Sequence, residues 1–456
     1  CGKKTGEIFV RIQVMLDIQF IRENTEKVKK GIADKQFDPG IVDKVLGLDE
    51  KRRKLIVEIE ELRAKRNKFA EEKNIEEGKK VKEALKGREP ELDKVEEEYR
   101  EALTQIPNLP SPKAPTGKSE KDNVEVRKWG EPRKFDFAPK DHLELGKNLG
   151  ILDFETGAKV TGSQFYFWYG DGARLELALI QYAFDLLEKE GFLPVITPDL
   201  AKSRYYLGTG YMPKGKEAQT YEIKNEDLGL IATAEVTLAG KHADEVMTEE
   251  KLPLKYIGYS HCFRQEAGAY GKYSKGLYRV HQFTKAEMFI YCLPEESDKY
   301  HEYILEMEEK IYQGLGLPYR VVEMCTGDLG AMAARKFDIE VWMPTRGEYG
   351  EVTSTSNCTD YQARNLNIKF RRKNGENEYV HMLNGTAIAT SRTPLAILEN
   401  YQEKDGSVVI PEVLRKWMGK DKINPDILDI AGKFTPKKKK SVLSAREGLD
   451  KSYKRV

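Results

Sequence analysis

The 456-residue chain has few cysteines, and they lie far apart. Its five cysteines form no C-x-x-C pair and no cluster with histidine at the spacing of zinc ligands. This spacing excludes a disulfide scaffold and a structural zinc site, and it favours buried thiols in a reducing compartment. The sequence also has no run of 18 uncharged apolar residues, which excludes a membrane-spanning helix. We therefore expect a cytoplasmic protein without a membrane partner.

Neither sign of charge dominates, because 76 basic residues stand against 75 acidic ones. Net charge therefore gives no indication of a nucleic-acid partner, and any such contact must come from local segregation of charge. Two near-matches to a phosphate-binding loop also fail. Residues 210–217 have Glu217 where Ser or Thr should hold magnesium, and residues 112–119 lack the first glycine. A nucleotide site in this chain must use another scaffold.

Residues 41–106 carry two apolar seams of similar length. Apolar side chains recur in alternating steps of four and three over 41–69 and again over 81–106, with Asn74 and Gly78 as the expected turn. This pattern predicts an antiparallel helical hairpin, a two-stranded coiled coil. Nearly every position off the seams is Lys, Arg or Glu, which favours a projecting arm over two helices of a compact bundle.

The outer part of this predicted arm is basic. Residues 51–88 contain 14 basic and 8 acidic side chains, although the whole chain is nearly neutral. This surplus favours contact with a phosphate backbone, and a merely solvated helix face remains the alternative. Pro90 is expected to kink or break the second helix. Prolines then recur through 106–123, which predicts a stiff linker and the main domain boundary.

Three separated segments beyond this linker combine helix and strand patterns with charged residues. The first, 176–200, predicts a helix that Gly191 closes and a strand that runs into Pro198. The apolar stripe of this helix is expected at four positions: Leu177, Ile180, Phe184 and Leu187.

The other two segments place arginines at the ends of predicted strands. In 259–289 a strand ends in Arg264-Gln265-Glu266, a glycine-rich basic loop follows, and a second strand starts at about Tyr278. In 382–402 a strand leads through Gly385 into a helix that bears Arg392. Taken together, the three segments resemble motifs 1, 2 and 3 of the class II aminoacyl-tRNA synthetases.

The finer resemblance is to the seryl-tRNA synthetases. It runs in order from about Met15 to about Met418 and includes the hairpin, "IPNLP", "GTGYMPK", "TAE" and "PEVLRKWM". It implies an α+β fold, in which an N-terminal antiparallel coiled-coil arm precedes a catalytic domain built on an antiparallel sheet flanked by helices. The implied divisions are an N-terminal extension (1–14), a tRNA-binding coiled-coil arm domain (15–116), a catalytic domain (117–436) and a basic tail (437–456).

The resemblance also implies an activity. Serine and ATP would give seryl-adenylate and pyrophosphate, with Mg²⁺ as the metal, and the seryl group would pass to tRNA(Ser), and to tRNA(Sec) where it exists. It implies a homodimer with the motif 1 helix and Pro198 at the interface. It further implies that the arm reads the long variable arm of a tRNA bound to the partner subunit.

Residue roles follow from the same resemblance. Arg264 would bridge the α-phosphate, Glu266 would accept from the adenine amino group and Arg392 would face the γ-phosphate, so these three are the expected catalytic residues. Phe283 would stack on adenine. The full set of expected ATP-binding residues is Arg264, Gln265, Glu266, Val280, Phe283, Glu351, Val352, Thr353, Ser354 and Arg392, of which Glu351 and Ser354 would hold Mg²⁺.

The expected serine and tRNA contacts complete the set. Serine would lie among Thr233, Ala234, Glu235, Arg264, Glu287, Asn384 and Thr386. The tRNA would contact Arg52, Arg53, Arg63, Arg66, Lys79 and Lys80. In the motif 2 loop, Lys272 and Lys275 stand where related enzymes often carry arginine, which leaves the pyrophosphate and tRNA-acceptor contacts of that loop open.

The residues by themselves also allow purely structural interpretations. Arg264 and Arg392 could form surface ion pairs, Phe283 could be simple core packing, and Glu287 could be an exposed strand carboxylate. At the level of the whole chain, one alternative is an amino acid:carrier-protein ligase on the same adenylating fold. Such ligases lack the long arm, so residues 41–106 argue against this alternative. Another is a structural coiled-coil protein with an inactive relative of the catalytic domain.

Overall fold

The computed structural model describes residues 16–211, 220–266 and 276–425. The predicted N-terminal extension, the basic tail, and Lys272 and Lys275 of the motif 2 loop lie outside these residues. The helices of the described residues are α1 (Ile18–Glu23), α2 (Thr25–Asp34), α3 (Gly40–Glu71), α4 (Ile75–Thr104), α5 (His142–Asn148), α6 (Phe154–Val160), α7 (Asp171–Lys189), α8 (Ser203–Thr209), α9 (Glu235–Gly240), α10 (Ser297–Gly314), α11 (Tyr361–Leu366), α12 (Arg392–Asn400) and α13 (Arg415–Met418). None of them is long and apolar enough to cross a membrane.

The strands begin only after the helical N-terminal part. They are β1 (Val124–Trp129), β2 (Leu152–Asp153), β3 (Phe167–Trp168), β4 (Leu193–Ile196), β5 (Leu200–Ala201), β6 (Tyr221–Glu222), β7 (Gly229–Leu230), β8 (Val246–Thr248), β9 (Leu254–Phe263), β10 (Gln282–Cys292), β11 (Tyr319–Glu323), β12 (Arg335–Met343), β13 (Glu348–Asn357), β14 (Lys369–Arg371), β15 (Asn377–Tyr379), β16 (His381–Ala389), β17 (Val408–Val409) and β18 (Lys422–Ile423). The main sheet has eight strands in the order β1-β11-β12-β13-β16-β10-β9-β4. All its neighbours are antiparallel except β4 and β9, which confirms the predicted α+β class.

Helices α3 and α4 form the predicted antiparallel hairpin. Buried apolar side chains from both helices make the outer seam, among them Ile59 and Leu85. The turn is tighter than predicted, because Asn74 caps α4 by accepting from the backbone N–H of Glu77. Gly78 therefore lies inside α4, and the prediction that it belongs to the turn is wrong.

Pro90 does not interrupt α4, which runs unbroken from Ile75 to Thr104. A proline in a helix leaves the carbonyl four residues earlier without its partner, here that of Lys86. Both Pro90 and Lys86 lie on the exposed side of the hairpin, so water can bond to the freed carbonyl. The predicted break is therefore wrong.

The base of the arm has its own small core. Residues of α1 and α2 pack with the near ends of α3 and α4, including Ile21, Ile32 and Leu103. The linker that follows is not a free spacer. Asn108 is 4% exposed, and Ala114 packs against strand β11 and the loop between β11 and β12. The proline-rich segment thus docks on the sheet and joins the arm to it.

Motif 1 forms helix α7 and strand β4, and Gly191 lies between them at φ +82°, as its predicted role at the helix end requires. The predicted apolar stripe is partly wrong. Leu187 is fully buried, whereas Leu177 is 65% exposed, because the buried face of α7 passes through Leu175 and Leu179 instead. The exposed leucine leaves an apolar side chain of α7 uncovered in a single subunit.

The larger core lies on one face of the sheet, and a smaller core that includes Phe289 and Tyr291 of β10 lies on the other. Side chains of α7 and α10 pack in the larger core with Ala286, Met288 and Ile290 of β10. Because side chains alternate along a strand, the intervening positions Phe283, Lys285 and Glu287 point to the other face. That face is the one that carries the candidate site.

Candidate active site

A cavity of about 370 Å³ lies on this second face of the sheet. It collects most of the residues that the resemblance singled out: Glu235, Arg264, Glu266, Val280, Phe283, Glu287, Glu351, Val352, Thr353, Ser354, Asn384, Thr386 and Arg392. Thr233, Ala234 and Gln265 do not line it. Gln265 instead donates to the backbone carbonyl of Thr220 at 2.7 Å, and Thr233 is fully buried beneath the wall.

The local sequence explains how β16 presents its two polar residues. Gly385 lies between Asn384 and Thr386 and faces helix α10. A Cβ at this position would lie 2.3 Å from a side-chain carbon of Ile304 and 2.8 Å from Glu308 Oε1. Only glycine lets α10 pack this closely. The same alternation then turns Asn384 and Thr386 toward the cavity.

Arg392 anchors one end of the cavity. Its Nη1 lies 3.0 Å from Oε1 of Glu351, and its Nε donates to the backbone carbonyl of Tyr278 at 3.2 Å. The guanidinium also lies 4.6 Å from the centre of the Tyr278 ring. The side chain of Arg392 is 17% exposed and that of Glu351 is 39% exposed, so this is a partly buried ion pair in the cavity and not the surface pair that the sequence left open.

Two more arginines stand beside it. Arg279 donates from Nη1 to Oε2 of Glu266 at 2.9 Å. Among the described residues, Arg264 has one side-chain hydrogen bond, a long one of 3.5 Å from Nε to the carbonyl of Ala232, and its guanidinium lies 5.3 Å from the centre of the Phe283 ring. The cavity therefore holds three fixed guanidinium groups, the type of group that best matches a chain of phosphates.

The acidic side chains on β12 and β13 provide oxygen donors for a cation. Burial raises the pKa of Glu351, but Arg392 and Lys336 lower it by more, and the net pKa is about 2. Burial raises the pKa of Asp338 to about 7 against the opposing effect of Lys336. Asp338 pairs across the strands with Ser354. Its Oδ1 has no hydrogen-bond partner among the described residues, although Lys336 Nζ lies 3.6 Å away.

This donor set fits Mg²⁺. Magnesium in proteins usually takes one or two carboxylates and completes its shell with water and substrate phosphates. Glu351 and Ser354 offer a carboxylate and a hydroxyl on one wall of the cavity. Within the described ranges, no group of three or more His, Cys, Asp or Glu side chains forms a metal cage. Phosphate oxygens are therefore needed to complete such a site.

Glu235 anchors the other end of the cavity. Its carboxylate is 1% exposed and accepts from the Tyr211 hydroxyl at 2.8 Å, from Gln362 Nε2 at 2.7 Å and from Asn384 Nδ2 at 3.2 Å. All three donors are neutral, and Glu235 forms no ion pair in the part of the chain that the structure describes. Burial, followed by the charge of Glu287, raises the pKa of Glu235 above 4.5.

Glu287 lies next to it and is fully buried, so it is not an exposed strand carboxylate. It accepts from Thr386 Oγ1 at 3.0 Å and from Asn384 Nδ2 at 3.3 Å, and it pairs with Lys285 Nζ at 2.5 Å. Two buried carboxylates with one ammonium leave a net negative charge. A buried charge of this kind is costly unless a partner neutralises it, so this end of the cavity suits a small ligand with an ammonium group.

Five residues of this network were missed in the sequence. Lys285 could have been found, because it lies two positions before Glu287 on the same strand and therefore on the same face. Arg279 and Tyr278 follow the motif 2 loop, whose course no local pattern predicts. Tyr211 and Gln362 come from distant elements and meet Glu235 only in the folded chain.

The predicted tRNA-binding residues all lie on α3 and α4, but they differ in their partners. Four of them form ion pairs within the protein: Arg52 with Glu96, Arg53 with Asp49, Arg63 with Glu89 and Lys80 with Glu77. Arg66 and Lys79 have no ion-pair partner among the described residues. They lie toward the turn of the hairpin.

Family comparisons agree with this geometry over both parts of the chain. Residues 15–110 match the family described as the seryl-tRNA synthetase N-terminal domain. Residues 219–401 match the tRNA synthetase class II core domain (G, H, P, S and T). The first match covers the helical arm and its base, and the second covers most of the cavity.

Individual relatives extend the agreement to nearly the whole length. The serine–tRNA ligase of Dictyoglomus turgidum is 56% identical over 423 residues, which cover 90% of this chain and 100% of that protein. The structure of seryl-tRNA synthetase from Pyrococcus horikoshii complexed with ATP superposes with a TM-score of 0.84 at 43% identity, covering 90% of this chain and 100% of the other.

A third relative gives the same result at lower identity. The cytoplasmic serine–tRNA ligase from Naegleria fowleri in complex with AMP has a TM-score of 0.80 at 37% identity, with 90% and 99% of the two chains covered. Sequence, fold and cavity thus agree from the arm to the last helix of the catalytic part. The chain belongs to the seryl-tRNA synthetases, within the class II aminoacyl-tRNA synthetases.

Proposed function

We propose that this chain is a serine–tRNA ligase, which activates L-serine with ATP and transfers the seryl group to tRNA(Ser). One observation carries the proposal. Glu235, a buried carboxylate whose hydrogen-bond donors are all neutral, shares a cavity with the arginine and Glu351 cluster. An amino acid and a nucleoside triphosphate can therefore lie side by side.

The first step joins the serine carboxylate to the α-phosphorus of ATP. A new O–P bond forms while the bond to the bridging α–β oxygen breaks, and pyrophosphate leaves with that electron pair. An amino-acid carboxyl group has a pKa of about 3.5, so it is ionised at neutral pH and needs no general base. The protein has to align the two reactants and stabilise the phosphate charge.

Three sets of residues contact the nucleotide: arginines at the phosphates, Glu266 and Phe283 at the adenine, and the residues that would hold the metal. Arg264 bridges the α-phosphate and the serine carboxylate, and Arg392 faces the γ-phosphate. Glu266 accepts from the adenine amino group, while the ring of Phe283 stacks on the base. Glu351 and Ser354 would hold Mg²⁺, which neutralises phosphate charge when it is bound.

The polar end of the cavity selects the amino acid. Glu235 pairs with the serine ammonium, and Glu287, Asn384 and Thr386 surround its hydroxyl. Alanine would not make the hydrogen bonds that the serine hydroxyl makes to these buried polar groups, and sites of this kind discriminate by about 10⁴-fold. Threonine must be rejected by the size of the pocket.

The arm supplies the second substrate. In the second step the terminal ribose hydroxyl of tRNA attacks the adenylate carbonyl, and AMP leaves. We place the tRNA on the outer arm, where Arg66 and Lys79 have no ion-pair partner among the described residues. These cations are available for the phosphates of the long variable arm of tRNA(Ser), or of tRNA(Sec) where that tRNA exists.

The exposed apolar side chains of motif 1 support a homodimer. Leu177 of α7 is 65% exposed, and Leu193 and Ile196 of the edge strand β4 are 58% and 80% exposed. A second copy would cover this patch. We also propose the division into an arm domain (15–116) and a catalytic domain (117–436), and the cytoplasm as the place of tRNA charging.

Charging with labelled serine tests the function directly. A purified tRNA pool should accept the label with ATP present, and its acceptance should stop when tRNA(Ser) is removed from the pool. A set of acyl and peptidyl carrier proteins serves as the competing acceptor. Label on a carrier protein and none on tRNA would assign the chain to the carrier-protein ligases instead.

A further inference from the structure

A buried lysine connects the helical N-terminal part to the catalytic part. Lys35 follows α2 directly and is 3% exposed. Its ammonium donates to three backbone carbonyls, those of Asn108 at 2.9 Å, Ala331 at 3.2 Å and Ala333 at 2.9 Å. No carboxylate forms an ion pair with it in the described part of the chain. Burial lowers the pKa of Lys35 to about 7. Its hydrogen-bond acceptors among the described residues are these three peptide carbonyls, two of which belong to the catalytic part.

Asn108 of the linker binds the same region. Its side-chain Nδ2 donates to the carbonyls of Met332 and Cys358, both at 2.9 Å, and its backbone N–H donates to the carbonyl of Ala331 at 2.9 Å. Lys35 and Asn108 together, here named the clasp, thus bond every carbonyl from 331 to 333.

Residues 331–333 form part of the cavity wall. The side chain of Met332 packs within 3.1 Å of the Cβ position of Gly210, the residue before Tyr211. Its sulfur lies 3.8 Å from Nε2 of Gln362. Tyr211 and Gln362 are two of the three donors to Glu235, so the wall rests against the groups that shape the amino-acid end of the cavity.

The wall has little regular structure of its own. Residues 331–333 lie outside any helix or strand. Gly330 before them has φ +67°, and apart from its chain neighbours no described residue lies within 4 Å of the position that a Cβ would take. Buried carbonyls need a hydrogen-bond partner, and losing one destabilises the segment that carries it. The clasp supplies those partners from outside the catalytic part.

We propose that Lys35 and Asn108 are positioning residues for the serine pocket. They hold residues 331–333 so that Met332 packs against Gly210 and Gln362, and in this way the base of the arm sets the affinity for serine. The inference rests on the proposed function of the cavity. It goes beyond it, because neither residue touches the cavity and both belong to the part of the chain that carries the tRNA-binding arm.

Serine-dependent ATP–pyrophosphate exchange tests the clasp without tRNA. Lys35→Met keeps the length of the side chain and removes the donors, and Asn108→Ala removes the side-chain bonds. In each variant the KM for serine should rise about tenfold, as the loss of a charge-assisted or buried hydrogen bond predicts. The KM for ATP and kcat should stay within about twofold. Lys30→Met, on the exposed side of α2, is the matched control and should leave all three unchanged.

Hydrogen exchange on the wild-type protein provides a second test that needs no variant. Binding is reciprocal, so if the clasp favours serine binding, serine must stabilise the clasp. Saturating serine should slow exchange of the Asn108 and Ser111 amides, which bond to Ala331 and Ala334. This measurement also decides the matter if the clasp variants do not fold.

The outcomes separate the two proposals. An unchanged KM for serine in a folded clasp variant, or an equal rise in the KM for ATP, would overturn the positioning role. Unchanged exchange at Asn108 and Ser111 on serine binding would do the same. If the wild-type protein shows no serine-dependent exchange of pyrophosphate at all, the proposed function itself has failed.

Discussion

Arg264 influences both ends of the cavity. Burial raises the pKa of Glu351 at one end and the pKa of Tyr211 at the other. The charge of Arg264 lowers both pKa values, by less than burial alone raises them. Its side chain makes one hydrogen bond to the part of the chain that the structure describes, the long contact to the carbonyl of Ala232. The guanidinium is therefore held in place mainly by its position over Phe283 and is free to bind two ligands at once.

Arg264→Ala should abolish adenylate formation. We expect serine-dependent pyrophosphate exchange to fall by about 10³-fold or more, because a fixed cation at the reacting phosphate is lost. Thermal stability should change by less than about 1 kcal/mol, since the long contact to Ala232 contributes little. Arg371→Ala, at an exposed position of β14, is the matched control. Exchange near the wild-type rate in the folded Arg264 variant would contradict the assignment.

Glu235 should give serine binding a pH dependence. Burial raises its pKa above 4.5, and only the ionised carboxylate can pair with the serine ammonium. As the pH falls through this raised pKa, the carboxylate gains a proton and the KM for serine should rise, while it should stay flat on the alkaline side up to the pKa of the ammonium. Exchange kinetics from pH 5 to 8 measure this. In Glu235→Gln the KM should be high at every pH, and an acid-side rise that persists there would point to another group.

At this scale, single side chains could be predicted where strand alternation applies. The family resemblance pointed to Glu287 and Asn384, which both line the cavity, and strand alternation along β10 could have added Lys285. The partners of Glu235 could not be predicted, because Tyr211 and Gln362 lie 24 and 127 residues away in sequence. The burial of Glu287 likewise depends on packing that the sequence does not display.

At the scale of elements, the hairpin of α3 and α4 is structurally separate from the cavity, whose described lining contains no residue of either helix. Deleting residues 51–88 and joining the remaining ends through a short glycine linker removes the outer seam, including Ile59 and Leu85, and leaves the core at the base. Exchange of pyrophosphate should stay within about twofold of the wild type. Charging of tRNA(Ser) should fall by at least about 10²-fold.

The salt dependence of charging distinguishes a tRNA contact from a solvated face. Basic contacts to phosphates give log affinity a slope against log salt that scales with their number. The KM for tRNA should therefore lose most of its salt dependence in the deletion variant. If charging and its salt slope survive the deletion, the basic outer half of the hairpin is only a solvated surface.

The elements themselves were mostly predictable, and the errors have physical causes. The heptad-like seams predicted α3 and α4, but Gly78 lies inside a helix because Asn74 supplies the cap before it. Helix α4 continues through Pro90 because the carbonyl of Lys86, which the proline leaves without a partner, faces water. The second motif 2 strand was expected from about Tyr278 and begins at Gln282, because residues 276–278 form a short 3₁₀ turn under Arg392.

At the scale of the whole molecule, the exposed edge of motif 1 predicts self-association. Ile196 is 80% exposed on the edge strand β4. Ile196→Asp should shift the protein from dimer to monomer by burying a charge in the interface. Sedimentation velocity at micromolar concentration measures the shift. Ile75→Asp, which is 73% exposed at the start of α4, is the matched control, and dissociation of that control or a dimeric Ile196 variant would contradict the proposed interface.

The central claim is that one cavity binds ATP and serine together. Pyrophosphate exchange with each of the twenty amino acids tests it most directly, because exchange requires an adenylate and does not require tRNA. We predict exchange with serine, exchange at least about 10³-fold weaker with alanine, which lacks the hydroxyl that this polar end of the cavity would bond, and weak exchange with threonine. Absence of exchange with serine, or equal exchange with alanine, would contradict the account.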